Sequence, residues 1–185
     1  YFTRYGGGLK TGKMLWGGLL QEVLSYFNQS NVIAQKEIDL IKVNGCNIDF
    51  RAELYRRDGG QPKVMGIPVR IAQQGSPITT HSVSMSLERF CAQYPLVDYD
   101  SFTKKAEDFL TKIYIALEGC FGESGELGID FGLDTEGRLW FIEGNSHSAK
   151  VSLLNSYTDD ILIDAYSGLL EYAKNRVSLY WAINN

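Results

Sequence analysis

Apolar residues at Leu15, Leu19, Leu20, Val23, Leu24 and Phe27 recur on the spacing of one helical face and predict an amphipathic helix over Lys13 to Asn28. Asn31 to Ile41 reads as a strand and an irregular crossing. Two β-rich runs follow, Asn47 to Arg57 and Pro62 to Ala72, joined by Arg57-Asp58-Gly59-Gly60, a hairpin signal. Gly75 to Pro95 is polar and reads as a loop with a short helix around Ser86 to Gln93. Asp100-Ser101 then caps a long helix to about Cys120, with Phe102, Ala106, Phe109, Leu110, Ile113 and Leu117 on one face and Gly119 and Gly122 at its end.

Two short apolar-rich strands, Glu126 to Leu133 and Arg138 to Glu143, flank Asp134-Thr135-Glu136-Gly137, whose residue types favour a tight turn. They form a hairpin. A terminal helix runs from Asp159 to about Trp181, its two leading aspartates placed well against the helix dipole. The pattern shows no internal repeat and no interdomain linker. Strand and helical runs thus share a chain whose length fits one ordinary domain or two small lobes.

Composition narrows the partners more than the chemistry. A chain of 185 residues with 44% hydrophobic and 22% charged content can bury a full core without staples. A net charge of -4 argues against nucleic acid, because phosphate contacts need a basic field that survives physiological salt. Cys46, Cys91 and Cys120 are odd in number and show no CxxC spacing, so neither a disulfide framework nor a zinc site is expected, and a reducing cytoplasmic compartment is. No apolar run reaches the roughly 20 residues of a membrane helix, and no membrane partner is expected.

The hairpin holds the candidate chemistry. If Thr135 and Glu136 are its two turn residues, 134 pairs with 137 and 128 with 143, which puts Asp130 and Glu143 on one side as diagonal neighbours. Asn145 follows on that side. Two carboxylates and an amide oxygen suit Mg2+, which usually takes one or two carboxylates plus phosphate oxygens. A bulge at Gly137 shifts the pairing by one and breaks the shared face. Spacing alone is equally that of a surface hairpin with solvated acids.

Four motifs in order resemble ATP-grasp ligases. Asp130, a hairpin and Glu143-Gly144-Asn145 resemble the metal strand pair of that superfamily. Upstream, VIAQKEIDL resembles the adenine hinge, and NIDFRAEL and GIPVRIA resemble the arginine-bearing strands. The chain is most similar to the spore-coat-associated YheC/YheD type, through Asp49-Phe50-Arg51, Val69-Arg70-Ile71 and the run from Gly128-Ile129-Asp130-Phe131-Gly132 to Trp140-Phe141-Ile142-Glu143-Gly144-Asn145-Ser146. The resemblance spans about residues 30–155.

The resemblance implies an α/β (α+β) fold, an ATP-grasp lobe whose antiparallel sheet carries packed helices in a single domain over 1–185, with Mg2+ and ATP bound between two lobes. It also implies an ATP-dependent ligase that converts a small-molecule carboxylate to an acyl-phosphate for capture by an acceptor. Asp130, Glu143 and Asn145 would hold the metal. Arg51 and Arg70 would serve catalysis, each offering phosphate a planar fork of hydrogen bonds. Gln35, Lys36, Glu37 and Ile38 would meet the adenine edge through the backbone, and Lys150 would keep a positive charge near the cofactor. The chain departs from the pattern at Thr79 to Met85 and at His147-Ser148-Ala149, which border the phosphates and acceptor. Its alternative role is a non-catalytic, spore-associated nucleotide-binding protein. A cover lobe with a lysine and glycine-rich flap would precede the hinge, so the chain is expected to lack part of it and to bind Mg-ATP weakly.

Two other signals carry less. Gly7 to Lys13 fits GxxxxGK, but Met14 replaces the Ser or Thr that touches magnesium in a P-loop. His81 and His147 have no cysteine or histidine neighbours at zinc-ligand spacing.

Overall fold

The computed structural model describes residues 15–27, 31, 36–57, 60–79 and 82–184, which fall into two compact units, 1–38 and 39–185. In the first unit, α1 (Trp16–Phe27) is helical where the apolar period predicts it. The GxxxxGK stretch, Gln35 and His81 lie outside the described residues.

The second unit is built around β2 (Cys46–Arg56), an 11-residue strand. β1 (Lys42–Val43) folds back onto its start through Asn44 and Gly45, whose φ of 50° and 78° are the left-handed pair a two-residue hairpin turn requires. Along one side of β2 run β3 (Pro62–Gly66) and β4 (Val69–Ile71), and along the other runs β6 (Glu126–Leu133). β5 (Val83–Met85) and β7 (Leu139–Asn145) give the order β5-β4-β2-β6-β7, with every pairing antiparallel.

Helices α2 (Leu87–Gln93) and α3 (Tyr99–Phe121) cover the sheet face to which Ile48, Phe50, Ala52 and Leu54 point. Phe50 sits at its centre, fully buried, with Phe90, Phe102 and Phe131 around it at ring-centroid distances of 5.0 to 6.5 Å. Phe102, Ala106, Leu110 and Tyr114 are the buried stripe of α3. Tyr114 escapes a search for purely apolar side chains because its hydroxyl must be satisfied, and it donates to the Ser124 carbonyl.

The elements differ from the sequence pattern in several places, among them β5, a strand inside the stretch read as a loop, whose residues pair with β4. No strand forms in the described part of Asn31 to Ile41, where Leu40 makes only an isolated bridge to Asp134. Pro62 to Ala72 is two strands, interrupted at Ile67-Pro68. Proline has no N–H to donate, although its carbonyl accepts from the Arg51 N–H at 2.9 Å and keeps β2 paired. The cap of α3 is Asp98, whose carboxylate accepts from the Ser101 N–H, so the helix starts before Asp100. A short helix, α4 (Val151–Ser156), precedes α5 (Asp159–Asn184).

Candidate functional site

Successive β2 residues alternate between sheet faces, so Asp49, Arg51, Glu53 and Tyr55 stand opposite the aromatic core. This second face is polar, yet it is buried. Asp49 is 8% exposed, Glu53 2% and the neighbouring Asp130 6%. Charges that far from water must be paired.

The pairing is built by strand register. Asp49 lies directly opposite Arg70 of β4, and Arg51 directly opposite Asp130 of β6. Arg70 donates to both Asp49 oxygens at 2.6 Å, and Arg51 donates to both Asp130 oxygens, one of them from Nη2 at 2.8 Å. Arg70 Nη2 also reaches Asp130 Oδ2 at 3.0 Å across β2, closing a ladder over three strands. Burial on its own would lower the Arg70 pKa, but its bonds to Asp49 and Asp130 outweigh that and raise it. The guanidinium is fixed in its charged form.

The β6–β7 hairpin brings the three expected oxygen ligands to one face by a register other than the simple one. Leu133 pairs with Leu139 rather than Arg138, because Gly137 takes φ 81° and adds a residue to the turn. That shift alone would put Glu143 on the wrong face. A second irregularity between Asp130 and Phe131 restores parity, leaving Asp130 opposite Glu143 and Gly128 opposite Asn145. Opposed residues of an antiparallel pair share a face, so Asp130, Glu143 and Asn145 do so too.

Gly128 and Gly132 flank Asp130 at two residues on either side, on that same face, and both permit close approach. A Cβ on Gly128 would stand 2.8 Å from the Ser148 side chain, and one on Gly132 would stand 2.6 Å from Leu40. Ser148 therefore lies directly on β6, where its hydroxyl donates to Glu53 Oε1 at 2.6 Å and accepts from Arg51 Nη1 at 3.4 Å. Desolvation raises the Glu53 pKa, against the pull of Ser148, Arg51 and Lys150.

Lys150 takes a left-handed φ of 57° at the start of α4 and turns its ammonium inward to Glu126 at 2.7 Å. The same ammonium lies 5.8 Å from the rings of Tyr55 and Tyr166. Its charge is thus committed inside the protein, in contact with the arginine ladder only through Ser148, whose carbonyl accepts from Nζ at 2.9 Å.

Among the described residues no three His, Cys, Asp or Glu side chains cluster in a metal-binding arrangement, so any cation site must use the amide and ligand oxygens. The residues fit such a site. The Glu143 carboxylate is exposed and bonds no other described residue. Asn145 would offer a cation its amide oxygen, whereas its buried Nδ2, a donor without a hydrogen-bond partner, suits an acceptor such as a phosphate oxygen rather than the metal. The carboxylates of Asp49, Glu53, Glu126 and Asp130 face the cations Arg51, Arg70 and Lys150, an excess of one negative charge before Glu143 is added.

The hairpin tip is locked by a residue that spacing did not single out. Buried Asp134 accepts from the Glu136 and Arg138 N–H groups, Arg138 Nε and Trp140 Nε1. Although desolvation would raise its pKa, these four donors lower it well below the usual carboxylate range. Asp49 and Glu53 were likewise not singled out as site residues, though the alternation of charged with apolar residues from Ile48 to Leu54 marks them. Lys36, Glu37 and Ile38 belong to the first unit, and His147 is exposed.

An antiparallel sheet with helices on its apolar face and paired arginines and acids on the other is consistent with a lobe of the ATP-grasp fold. The family described as YheC/D-like ATP-grasp matches residues 14–175, and the chain belongs to it. It is 30% identical over 134 residues to the endospore coat-associated protein YheD of Bacillus subtilis (strain 168), covering 71% of this chain and 29% of that relative. The chain thus spans under a third of the length of that relative. Membership supports an ATP-binding, ligase-type function, and proteins of this fold generally bind ATP with Mg2+ and act on small molecules. No described helix is long and apolar enough to cross a membrane.

Proposed function

We propose that the polar face of this sheet binds Mg-ATP and that the protein is an ATP-dependent carboxylate ligase acting through an acyl-phosphate. The observation that carries the reading is the shared face of Asp130, Glu143 and Asn145 beside the ladder of Arg51 and Arg70. The Glu143 carboxylate is open to a cation, Asn145 would add its amide oxygen, and Asp130 offers one remaining lone pair of about four. A bound magnesium ion would neutralise phosphate charge and orient the phosphoryl group.

The chain's own residues supply the rest. Arg51 and Arg70 would turn their forks to developing negative charge once their carboxylate partners give way to the phosphate. Ser148, on the same face, would hold Arg51 and Glu53 in place.

The name of the Bacillus relative favours a second reading, a coat-associated protein that binds nucleotide without turning it over. ADP release with ATP, Mg2+ and a panel of amino acids and small carboxylates separates the two. Release that depends on one carboxylate supports the ligase. Mg-ATP binding with no release under any member of the panel supports the coat protein.

A further inference from the structure

Asp130 has two roles that compete. Its carboxylate is the buried acid among the proposed metal ligands, and it is also the partner of both arginines proposed to meet phosphate. Oδ1 accepts Arg51 Nε, while Oδ2 takes Arg51 Nη2 at 2.8 Å and Arg70 Nη2 at 3.0 Å. Three of about four lone-pair positions are spoken for.

An anion arriving alone finds these guanidiniums tied. It must displace an intramolecular carboxylate that is already bidentate to Arg51, and on Arg70 a second carboxylate, Asp49, that is bidentate as well. A divalent cation arriving alone meets the converse problem, because it must sit beside two fixed positive charges where low effective dielectric magnifies repulsion. Together the two ligands solve both problems. The cation draws on Asp130 and loosens its hold on the arginines, and the anion takes up the arginine forks and removes their repulsion of the cation.

Resting on the Mg-ATP reading, we infer that Asp130 is a gate: it withholds Arg51 and Arg70 from polyphosphate until a divalent cation engages its carboxylate, so that metal and polyphosphate bind as a pair. The coupling must be reciprocal, since each ligand's gain in affinity equals the other's. Uncomplexed polyphosphates are thereby rejected, and the selectivity comes from the ladder rather than from pocket shape.

The test is binding of inorganic tripolyphosphate in excess chelator, with no metal present, to the wild type, Asp130→Asn and Glu136→Gln. Asp130→Asn is expected to bind about tenfold tighter than the wild type, because it releases charge-assisted contacts for the anion. Glu136→Gln removes an equal charge at the hairpin tip, where the side chain is exposed and pairs with Arg138, and is expected to change affinity by less than about twofold. If Asp130→Asn binds no tighter, or Glu136→Gln tightens binding as much, the gate is wrong. Should Asp130→Asn fail to fold, the wild type carries the test through reciprocity: Mg2+ is expected to bind about tenfold tighter when tripolyphosphate is saturating than when no anion is present, and the absence of any gain overturns the inference. Absence of Mg2+-dependent ATP binding in the wild type would instead remove the Mg-ATP reading and leave these metal-free affinities to be judged by themselves.

Discussion

The two faces of β2 are made by the same alternation and are buried to similar depth, yet they depend on their neighbours in different ways. Phe50 on one face is 0% exposed and Glu53 on the other 2%. On the aromatic face, contacts are non-directional and many, so each residue contributes by volume and tolerates a neighbour of similar size. On the charged face, each group depends on a particular partner. A lost partner leaves an uncompensated charge. The aromatic face therefore makes the lobe stable, and the charged face makes it selective. Only the charged face has reason to hold strained register, a left-handed Lys150 and an unpaired amide.

The contrast is broken most severely from the aromatic side. Phe50→Ala removes the ring that Phe90, Phe102 and Phe131 surround, and is expected to cost about 3–5 kcal/mol in urea unfolding while leaving any surviving fold able to bind Mg-ATP. A cost below about 1 kcal/mol would mean that the site refills, and that the two faces share the work of stability more evenly than described.

Arg51→Lys should do the opposite, lowering Mg-ATP affinity about tenfold by loss of the planar fork while the melting temperature moves little. Equal affinity of variant and parent would take Arg51 out of the site. Gly137→Ala tests the register on which the site depends. At φ 81° a methyl group costs about 1 kcal/mol, and amide hydrogen exchange should quicken along β7 before it does along β2.

Glu53→Gln gives the smallest effect and the one most dependent on pH. Because burial raises the Glu53 pKa above the ordinary 4.5, the folded state holds its proton more readily than the unfolded state. Its contribution to stability is full below the unfolded value and is lost as pH rises through the raised folded value. The melting temperature of the variant relative to the wild type should therefore climb from acid toward neutral pH. A difference that stays flat over that range would show that Ser148, Arg51 and Lys150 fully offset the burial.

The legibility of the chain in sequence followed the same division. Helix α3, the β6–β7 hairpin and the long strand β2 were readable because their periods are strict and their ends carry glycine or capping residues. The sequence also placed Asp130, Glu143 and Asn145 on one face, but by a register that the chain does not use. Two one-residue shifts cancel, and neither the extra turn residue at Gly137 nor the irregularity beyond Asp130 can be dated from period alone. The burial of the polar face was the larger omission. Alternating charge normally means a solvated side, and only the loop carrying Ser148 and Lys150, folded down onto Gly128, reveals that this side is covered. Lys150 shows the limit of reading charge by position, since its ammonium is spent on Glu126.

Glu143, exposed and with no side-chain partner among the described residues, would complete a cation site with Asp130 and Asn145 for polyphosphate. Calorimetric titration of ATP into the wild type and Glu143→Gln, each with and without Mg2+, tests it most directly. The account predicts that Mg2+ strengthens ATP binding by the wild type, that the variant loses this gain, and that both proteins melt at the same temperature. Equal ATP affinity with and without Mg2+ in the wild type, or the full gain retained in Glu143→Gln, would contradict it.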